Sequence, residues 1–294
     1  MIVEARAKIN LALDILHKRS DGYHEVEMVM QTIALADEVS LDERTEGIVI
    51  ETNMPELDCG PSNIAYRAAA LVADRCGVRQ GVRIFLNKKI PLAAGLAGGS
   101  ADAAAVLTGL NNLWRLGLSI KELENMGGLL GSDVPFCLNG GTMLATGRGE
   151  TLSPLPPLPH VYIVLAKPQV AVSTAWAYQN YQQSRVGLRP DIRGMVTSLL
   201  ENDIAGVARR MANVLETVTI PVHDEIAELK NMMLKNGLVA SMMSGSGPSV
   251  FGLANDYRQA CNVAEQLRHY TAGWVTVTES VNAGGEKWNA GYRR

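Results

Sequence analysis

A lysine and an asparagine stand two residues apart near the start of the chain, in the stretch "AKINLALDI". Between Ala5 and Ile15 apolar residues alternate with more polar ones, which is the period of a half-buried β-strand. Lys8 and Asn10 therefore point the same way from one rigid element. The alternative is that Asn10 is only a polar residue at a strand end, but its place beside Lys8 favours contact with a substrate.

The stretch "PLAAGLAGGSADAA" (residues 91–104) places three glycines directly before a helical pattern. Glycine lets the backbone approach a ligand closely, and the free N–H groups at a helix N-terminus bind phosphate. Ser100 is predicted to cap this helix, and Asp102 to complement the positive end of its dipole. The alternative is a tight turn that needs small residues. The loop matches neither the Walker A pattern nor G-x-G-x-x-G, which disfavours a nucleotide site of either common type.

Asp133 stands in the stretch "GSDVPF". A lone aspartate in such a place is usually a turn former or a helix cap. Near a lysine, however, a carboxylate can accept a proton from a hydroxyl, while the lysine keeps it ionised and steadies the charge of an incoming phosphate. A second turn of small residues, Ser244–Gly247, lies in "SGSGPSVFGL". Lys8, the loop 95–100 and this turn together predict a site that handles anions.

Helices and strands that must hold these residues interleave along the chain. Strands are predicted at "EVEMVMQTIAL", "GIVIET", "GVRIFLNKKIP", "VYIVLAKP" and "WVTVTESV". Helices are predicted over "SNIAYRAAALVADRCG" with Ser62 as its cap, after the glycine-rich loop, after the capping-box pair Ser119 and Glu122, and within residues 191–215, 224–236 and 256–270. Hairpin and turn signals among them favour an α+β fold over regular βαβ units.

The proline-rich stretch "LSPLPPLPH" (residues 152–160) predicts a stiff connector between two domains, since four prolines exclude helix and central strand. A proline-rich ligand motif is the alternative. We place the domains at residues 1–155 and 156–294. The final stretch "NAGGEKWNAGYRR" is interpreted as a loose tail.

Composition is that of an ordinary globular protein, with 294 residues of which 47% are hydrophobic and 19% charged. The formal net charge of −3 gives no basic field, so we expect no nucleic-acid partner. The four cysteines show no C-x-x-C pair and are interpreted as reduced structural thiols. We find neither a signal sequence nor an apolar run long enough for a membrane span, and expect a cytoplasmic protein.

Three stretches, "AKINLALDI", "PLAAGLAGGSADAA" and "SGSGPSVFGL", resemble the three ordered motifs of the GHMP kinases, small-molecule kinases named for galactose, homoserine, mevalonate and phosphomevalonate. The resemblance runs from residue 3 to about residue 281. It implies an N-terminal domain like ribosomal protein S5 domain 2, a ferredoxin-like C-terminal domain and a site between them. The stretches "DGYHEVEMVMQTI" and "GSDVPF" resemble those members whose acceptor alcohol carries a cytidine diphosphate.

This resemblance, carried over residue by residue, implies that Lys8 and Asp133 are the catalytic pair and that ATP is the co-substrate, with Mg²⁺ expected. The ATP-binding residues that it implies are Pro91, Leu92, Ala93, Ala94, Gly95, Leu96, Ala97, Gly98, Gly99 and Ser100. The substrate-binding residues that it implies are Asn10, Tyr23, His24 and Tyr178. Three alanines of the loop, at 93, 94 and 97, stand where family loops often have glycine. No carboxylate pair has obvious Mg²⁺ spacing, so the ion is expected on ATP oxygens and water, near Ser100.

Alternatives remain at several of these positions. Without the resemblance, Tyr23 and His24 are ordinary turn residues, and Trp176 is as good an aromatic candidate as Tyr178. Lys88 and Lys89 are interpreted as solvated strand ends, although one of them could reach ATP. Another acceptor is possible, such as homoserine, mevalonate or a sugar, but the aromatic and imidazole of "DGYH" suit a nucleobase better.

A non-catalytic nucleotide-binding protein on the same scaffold is a further alternative. The presence of both Lys8 and Asp133 argues against it, because a pure binding protein needs no base. We therefore expect small-molecule substrates as the only partners, and a monomer or a homodimer.

Overall fold

Two β-sheets organise residues 1–282, which are the residues that the computed structural model describes. The strands are β1 (Ile2–Lys18), β2 (His24–Arg44), β3 (Ile48–Thr52), β4 (Gly81–Asn87), β5 (Thr142–Thr146), β6 (Thr151–Pro154), β7 (Tyr162–Lys167), β8 (Ala212–Asn213), β9 (Ala240–Met243), β10 (Val250–Ala254) and β11 (Trp274–Glu279). The tail expected at the end of the chain lies, from residue 283 onward, outside the described residues.

Ten α-helices accompany these strands in the part of the chain described. They are α1 (Ile64–Cys76), α2 (Gly98–Leu113), α3 (Ile120–Leu130), α4 (Val134–Asn139), α5 (Thr174–Gln179), α6 (Ile192–Leu200), α7 (Ile204–Arg210), α8 (Glu216–Thr219), α9 (Asp224–Lys235) and α10 (Tyr257–Tyr270). Within residues 1–282, no helix is both long and apolar enough to cross a membrane.

The first sheet has the strand order β3-β4-β2-β1-β8, with β5 paired to β2 and β6 paired to β5. Its centre is the antiparallel pair β1 and β2. The expectation of a half-buried first strand is wrong, because every residue from Ala7 to Ile15 is buried. The pairing register shifts between Arg6 and Lys8 and again between Asn10 and Ala12, and such β-bulges redirect the side chains of a strand.

Because of these bulges, three successive parts of β1 pack with three different clusters of the core. Residues 3 and 5 pack with α1 and α2, and the apolar residues between 7 and 12 pack with the second sheet. Residues 13 and 15 pack with a third cluster that includes residues of β5, β7 and α5. One strand thus contacts both halves of the molecule, which explains why neither of its faces is exposed.

The second sheet has the order β11-β7-β10-β9, with all neighbours antiparallel. With α9 before β9 and α10 between β10 and β11, this is the ferredoxin-like arrangement that the resemblance implies. Helix α10 begins at the side-chain cap Asp256, whose carboxylate accepts the N–H of Gln259.

Residues from beyond the proline-rich stretch return to the first sheet. Strand β8 pairs in parallel with β1, and Ile33 forms an isolated bridge with Ser280. The stretch interpreted as a connector begins as a strand, since Thr151–Pro154 pair with β5 at a sheet edge, where a terminal proline is tolerated. A division of the chain at residue 155 stays a prediction.

Of the helix caps predicted at Ser119 and Ser62, the first is present and the second is not. Ser119 and Glu122 form the reciprocal capping box at the start of α3, as predicted. Ser62 does not cap α1; the cap is Asn63, whose side-chain oxygen accepts the N–H of Ala65 at 2.9 Å. The hydroxyl of Ser62 instead donates to Asp58, a competing local partner for a serine.

Gly109 lies where α2 packs closely on the first sheet, because a Cβ there would overlap Leu41 Cδ1. Gly109→Ala is expected to lower the free energy of unfolding by about 1–3 kcal/mol, since Leu41 must shift within a packed core. Gly128→Ala in α3, where no atom lies within 4 Å of the added Cβ, should instead raise it by about 0.4–1 kcal/mol. Urea denaturation of both variants tests these opposite signs, and a stabilised Gly109→Ala variant would contradict the packing.

Candidate active site

A cavity of about 860 Å³ lies between β1, the glycine-rich loop, α5 and the turn at Gly245 and Ser246. The predicted site residues that line it are Lys8, Tyr23, His24, Pro91, Leu92, Ala93, Ala94, Gly95, Ala97, Gly98, Gly99, Ser100, Asp133 and Tyr178. Asn10 and Leu96 are fully buried behind the cavity wall. The structure therefore brings together residues that are far apart in sequence.

Lys8 and Asp133 face each other, with 3.5 Å between Lys8 Nζ and Asp133 Oδ2. Lys8 also donates to Asn10 Oδ1 at 2.7 Å, which confirms that the two side chains share one side of β1. The lysine side chain is only 6% exposed, whereas the aspartate side chain is 31% exposed. Asn10 here contacts the lysine and Met28, and its contact with a substrate stays a prediction.

Asp133 directly precedes α4, where an aspartate normally caps the helix. Its side chain makes no capping hydrogen bond, so the interpretation of Asp133 as a simple cap is excluded. Neither carboxylate oxygen accepts a hydrogen bond from the described residues; Oδ2 lies beside Lys8, and the residue lines the cavity. A paired, partly solvated carboxylate on a cavity wall can accept a proton from a bound hydroxyl.

The glycine-rich loop ends in α2, which begins at Gly98 after Ala97. Ser100 is therefore not the cap: it is the third residue of the helix, because Ala97 turns the chain with a φ of 57°. Ala93 also has a positive φ, 48°, so two alanines adopt the left-handed conformation that favours glycine. The first N–H groups of α2 lack helical acceptors and belong to residues that line the cavity, an arrangement suited to binding an anion.

The small-residue turn Ser244–Gly247 touches this loop. Ser244 Oγ donates to Gly95 O at 3.0 Å, and a Cβ on Gly95 would overlap Ser244 O, so only glycine fits there. Asn213 holds the turn in place, since its Nδ2 donates to Met243 O at 2.9 Å and to Gly245 O at 2.7 Å. Sequence reasoning missed Asn213, which no motif distinguishes from other polar residues.

Aromatic side chains form the opposite end of the cavity. The rings of His24 and Tyr178 lie 5.6 Å apart, and Tyr181 approaches His24 edge-on at 6.4 Å. The guanidinium of Arg148 lies 5.0 Å from the centre of the Tyr23 ring. Both Trp176 and Tyr178 pack against the core, but of the two Tyr178 lines the cavity, which favours Tyr178. Tyr181 and Arg148 were not predicted, because the residues they contact, His24 and Tyr23, are far from them in sequence.

His24 is shielded in this cluster. Burial, and next the positive charge of Lys18, lower the pKa of the imidazole. The neutral ring then offers one nitrogen donor and one nitrogen acceptor near neutral pH.

Lys88 and Asp102 do not have the surroundings that the sequence suggested, although Lys88 lines the cavity and its contact with ATP stays an alternative. Lys88 is not a solvated strand end: its side chain is 1% exposed and pairs with Asp37 and, at 2.5 Å, with Asp102 Oδ2. Asp102 is buried and pairs with this lysine rather than serving mainly the helix dipole. The cause is tertiary, since β2, the end of β4 and α2 meet at this point. Burial raises the pKa of Asp102 to about 7. The positive charge of Lys88 opposes this shift, and the like charge of Asp37 adds to it.

Asp102 should make stability depend on pH. A carboxyl whose pKa is raised in the folded state binds its proton more tightly there, so its contribution to stability is lost as the pH rises from about 4 through about 7. The groups around it are Lys88, Asp37 and the thiol of Cys137 on α4, whose own pKa burial raises. Asp102→Asn cannot titrate, so its unfolding free energy relative to the unmodified protein should improve between pH 5 and pH 8, by about 2 kcal/mol.

Unfolding in urea at several pH values measures this difference. The control is Asp42→Asn, which removes an exposed carboxylate on β2. A constant difference for Asp102→Asn over this range would contradict the prediction.

Two family models match the chain: GHMP kinases N terminal domain over residues 63–141, and GHMP kinases C terminal over residues 195–272. A relative from Acetivibrio thermocellus is 50% identical over 267 residues, 91% of this chain and 94% of the relative. A relative from Bacillus licheniformis is 47% identical over 271 residues, 92% and 93% of the two chains. Both are named 4-diphosphocytidyl-2-C-methyl-D-erythritol kinase.

Solved structures show the same fold. A crystal structure of 4-(cytidine 5'-diphospho)-2C-methyl-D-erythritol kinase has a TM-score of 0.82 at 35% identity and covers 96% of this chain and 100% of that one. The mevalonate kinase of L. major, in complex with R-mevalonate, has a TM-score of 0.75 at 14% identity and 96% coverage of both chains, which shows the fold alone. The expected two-domain α+β fold is confirmed. This chain belongs to the GHMP kinase family, in its group of 4-diphosphocytidyl-2-C-methyl-D-erythritol kinases.

Proposed function

We propose that the protein transfers the γ-phosphoryl group of ATP to the 2-hydroxyl of 4-diphosphocytidyl-2-C-methyl-D-erythritol, giving the 2-phosphate and ADP in non-mevalonate isoprenoid precursor synthesis. Relatives 47–50% identical over more than nine-tenths of the chain carry this enzyme's name. The observation that carries the proposal is the Lys8–Asp133 pair, which lies on the cavity wall. The glycine-rich loop and the His24–Tyr178 cluster line the same cavity.

Asp133 is the general base. Its carboxylate takes the proton of the acceptor hydroxyl as the oxygen attacks the γ-phosphorus, and the bond to the bridging oxygen breaks so that ADP leaves with that electron pair. Lys8 places its positive charge beside both the carboxylate and the transferred group. Asn10 contributes by holding the ammonium, through its 2.7 Å hydrogen bond.

The loop from Pro91 to Ser100 binds the ATP phosphates through backbone N–H groups. Its side chains before Ser100 are apolar or absent, so they offer no hydrogen bonds of their own. The N-terminus of α2 adds the positive end of the helix dipole. Ala93 and Ala97 serve this role because their backbones already have left-handed conformations.

Mg²⁺ fits this site as a partner of ATP rather than of a protein cage. Within residues 1–282 no cluster of three or more His, Cys, Asp and Glu side chains could hold a metal ion. Ser100 and Asp133 both offer oxygens at the cavity, which suits an ion that keeps its waters and binds substrate phosphates. When bound, Mg²⁺ neutralises phosphate charge.

Tyr23, His24 and Tyr178 bind the cytosine end of the acceptor. The rings of His24 and Tyr178 are 5.6 Å apart, whereas a base stacked between two rings needs about 7 Å. We therefore expect Tyr178 to move outward on α5, or the base to stack on one ring only. The neutral imidazole of His24 can then hydrogen-bond the polar edge of the base.

Residues 1–155 form the ATP-binding domain in this proposal, and residues 156–294 the substrate-side domain. All proposed site residues come from a single chain, so a monomer is sufficient and a homodimer is compatible. The four cysteines are unpaired, as is usual in the cytoplasm, where we place the protein.

Asp133→Asn keeps the shape of the side chain and removes the basic oxygen. We expect kcat to fall about 10²–10⁴-fold, while ATP binding persists. Lys8→Ala should in addition raise the KM for ATP, because it removes charge that faces the transferred phosphate. A coupled assay of ADP release with the cytidyl, homoserine, mevalonate and galactose acceptors measures both. Circular dichroism checks the fold, and Asp42→Asn is the matched carboxylate control.

Near-normal turnover of Asp133→Asn would remove Asp133 as the base. Turnover of mevalonate or homoserine in preference to the cytidyl acceptor would remove the proposed substrate while leaving the kinase assignment in place.

Tyr178→Ala should weaken acceptor binding roughly ten- to a hundredfold, because stacking on one aromatic ring contributes about 1–3 kcal/mol. Tyr178→Phe keeps the ring and should bind nearly normally, as should Trp176→Phe. His24→Ala should reduce the preference for the cytidyl over the uridyl acceptor more than Tyr178→Ala does, because unmatched polar groups discriminate more sharply than stacking. Values of kcat/KM for both acceptors test this, and equal use of the two by the unmodified protein would refute it.

A further inference from the structure

Three buried charges lie beneath the glycine-rich loop, and the proposed chemistry uses none of them. They are Asp37 on β2, Lys88 just after β4 and Asp102 on α2, with side chains 0%, 1% and 4% exposed. Replacing a buried ion pair by apolar residues is often neutral or stabilising, so stability is a weak reason for three such groups. Their contacts point to a different role.

Asp37 holds the backbone where the loop begins. Its Oδ1 accepts the N–H of Lys89 at 2.5 Å and that of Ile90 at 2.8 Å, while Oδ2 accepts from Lys88 Nζ. Asn53 holds the preceding peptide, since its Oδ1 accepts the N–H of Lys88 at 2.8 Å. Three successive N–H groups before the loop are thus fixed by side chains of β2 and of the residue after β3.

Lys88 links this beginning of the loop to its end. Its ammonium donates to Asp102 Oδ2 at 2.5 Å, in the second turn of α2. The start of α2 also lies over the lysine, because a Cβ on Gly98 would be 3.5 Å from Lys88 Nζ and 3.0 Å from Ile90 Cγ2. Both ends of the loop are therefore attached to one ammonium group.

Between these ends the loop makes few hydrogen bonds. Residues 91–97 have no side chain able to hydrogen-bond; Leu96 O accepts the N–H of Lys8, Gly95 O accepts the hydroxyl of Ser244, and Ala94 and Leu96 pack into the core. The separation of the two ends then sets where the N–H groups of Gly98 and its neighbours point. Displacement of binding groups by about 1 Å is enough to lose much of a precisely positioned interaction.

We infer that Asp37, Lys88 and Asp102 are positioning residues for ATP, which hold the two ends of the phosphate-binding loop at the separation that the nucleotide requires. This inference rests on the proposed function. The charge of the three groups agrees with this inference. Burial raises the pKa of Asp102 to about 7, so this carboxyl adds little negative charge beneath the ATP phosphates. Asp102 Oδ1, buried without a hydrogen-bond partner among the described residues, fits a carboxyl that is readily protonated.

The test compares variants in binding of a non-hydrolysable ATP analogue and, separately, of the cytidyl acceptor, both by calorimetry. Lys88→Met and Asp102→Ala should raise the Kd of the analogue on the order of ten- to a hundredfold and leave that of the acceptor unchanged. Asp102→Asn keeps an oxygen for Lys88 and should recover most of the affinity. In turnover, the KM for ATP should rise far more than kcat falls.

Loss of buried charges also lowers stability, so Val263→Ala in the core of α10 serves as a control of comparable destabilisation, matched by thermal unfolding. If Lys88→Met does not fold, the pair Asp102→Ala and Asp102→Asn carries the test. Unchanged affinity for the analogue in Asp102→Ala would overturn the inference, and so would equal losses for analogue and acceptor that follow stability as in Val263→Ala. Failure of the unmodified protein to bind the analogue would instead overturn the proposed function, and the inference with it.

Discussion

One backbone hydrogen bond, from the N–H of Lys8 to the carbonyl of Leu96 at 3.1 Å, joins the central strand to the glycine-rich loop. It is possible because the strand bulges between Arg6 and Lys8, which leaves a backbone donor free of the β1–β2 ladder. The bond puts the lysine ammonium and the loop on the same cavity. The absence of a side chain at Gly95 lets the turn at Ser244 pack directly against the loop beside this bond.

The ion pair of Lys8 with Asp133 and the buried group of Lys88 with Asp37 and Asp102 differ in solvent exposure. Lys8 is buried but faces Asp133, which is the carboxylate with solvent access and room for a hydroxyl group. Lys88 is buried between two carboxyls that have no such access. The Lys8–Asp133 pair is therefore open to a ligand, whereas the contacts of Asp37, Lys88 and Asp102 are with one another and with neighbouring chain segments.

Local signals predicted the main elements and the small-residue loop before α2, because strand periodicity, the capping box and glycine-rich turns are written in neighbouring residues. The roles of Tyr23, His24 and Tyr178 on the cavity wall came only through the resemblance to a family. The same resemblance paired Lys8 with Asp133. Sequence reasoning failed at Lys88 and Asp102, whose partners come from three separate elements, and at Ser100, where the left-handed turn of Ala97 starts the helix early. The arrangement of Tyr181 and Asn213 depends likewise on contacts that no local pattern specifies.

The return of β8 and of residues 280 and 281 to the first sheet has a consequence for synthesis on the ribosome. The edge of β1 stays unpaired until residues 212 and 213 have emerged, and the bond from Gln31 Nε2 to Val281 O joins residues 250 positions apart. Contacts between distant residues make folding slow, because the entropy of closing a long loop is lost before the stabilising contacts form. The N-terminal half, although translated first, is thus completed last, and its central strand offers an open edge to other chains in the meantime.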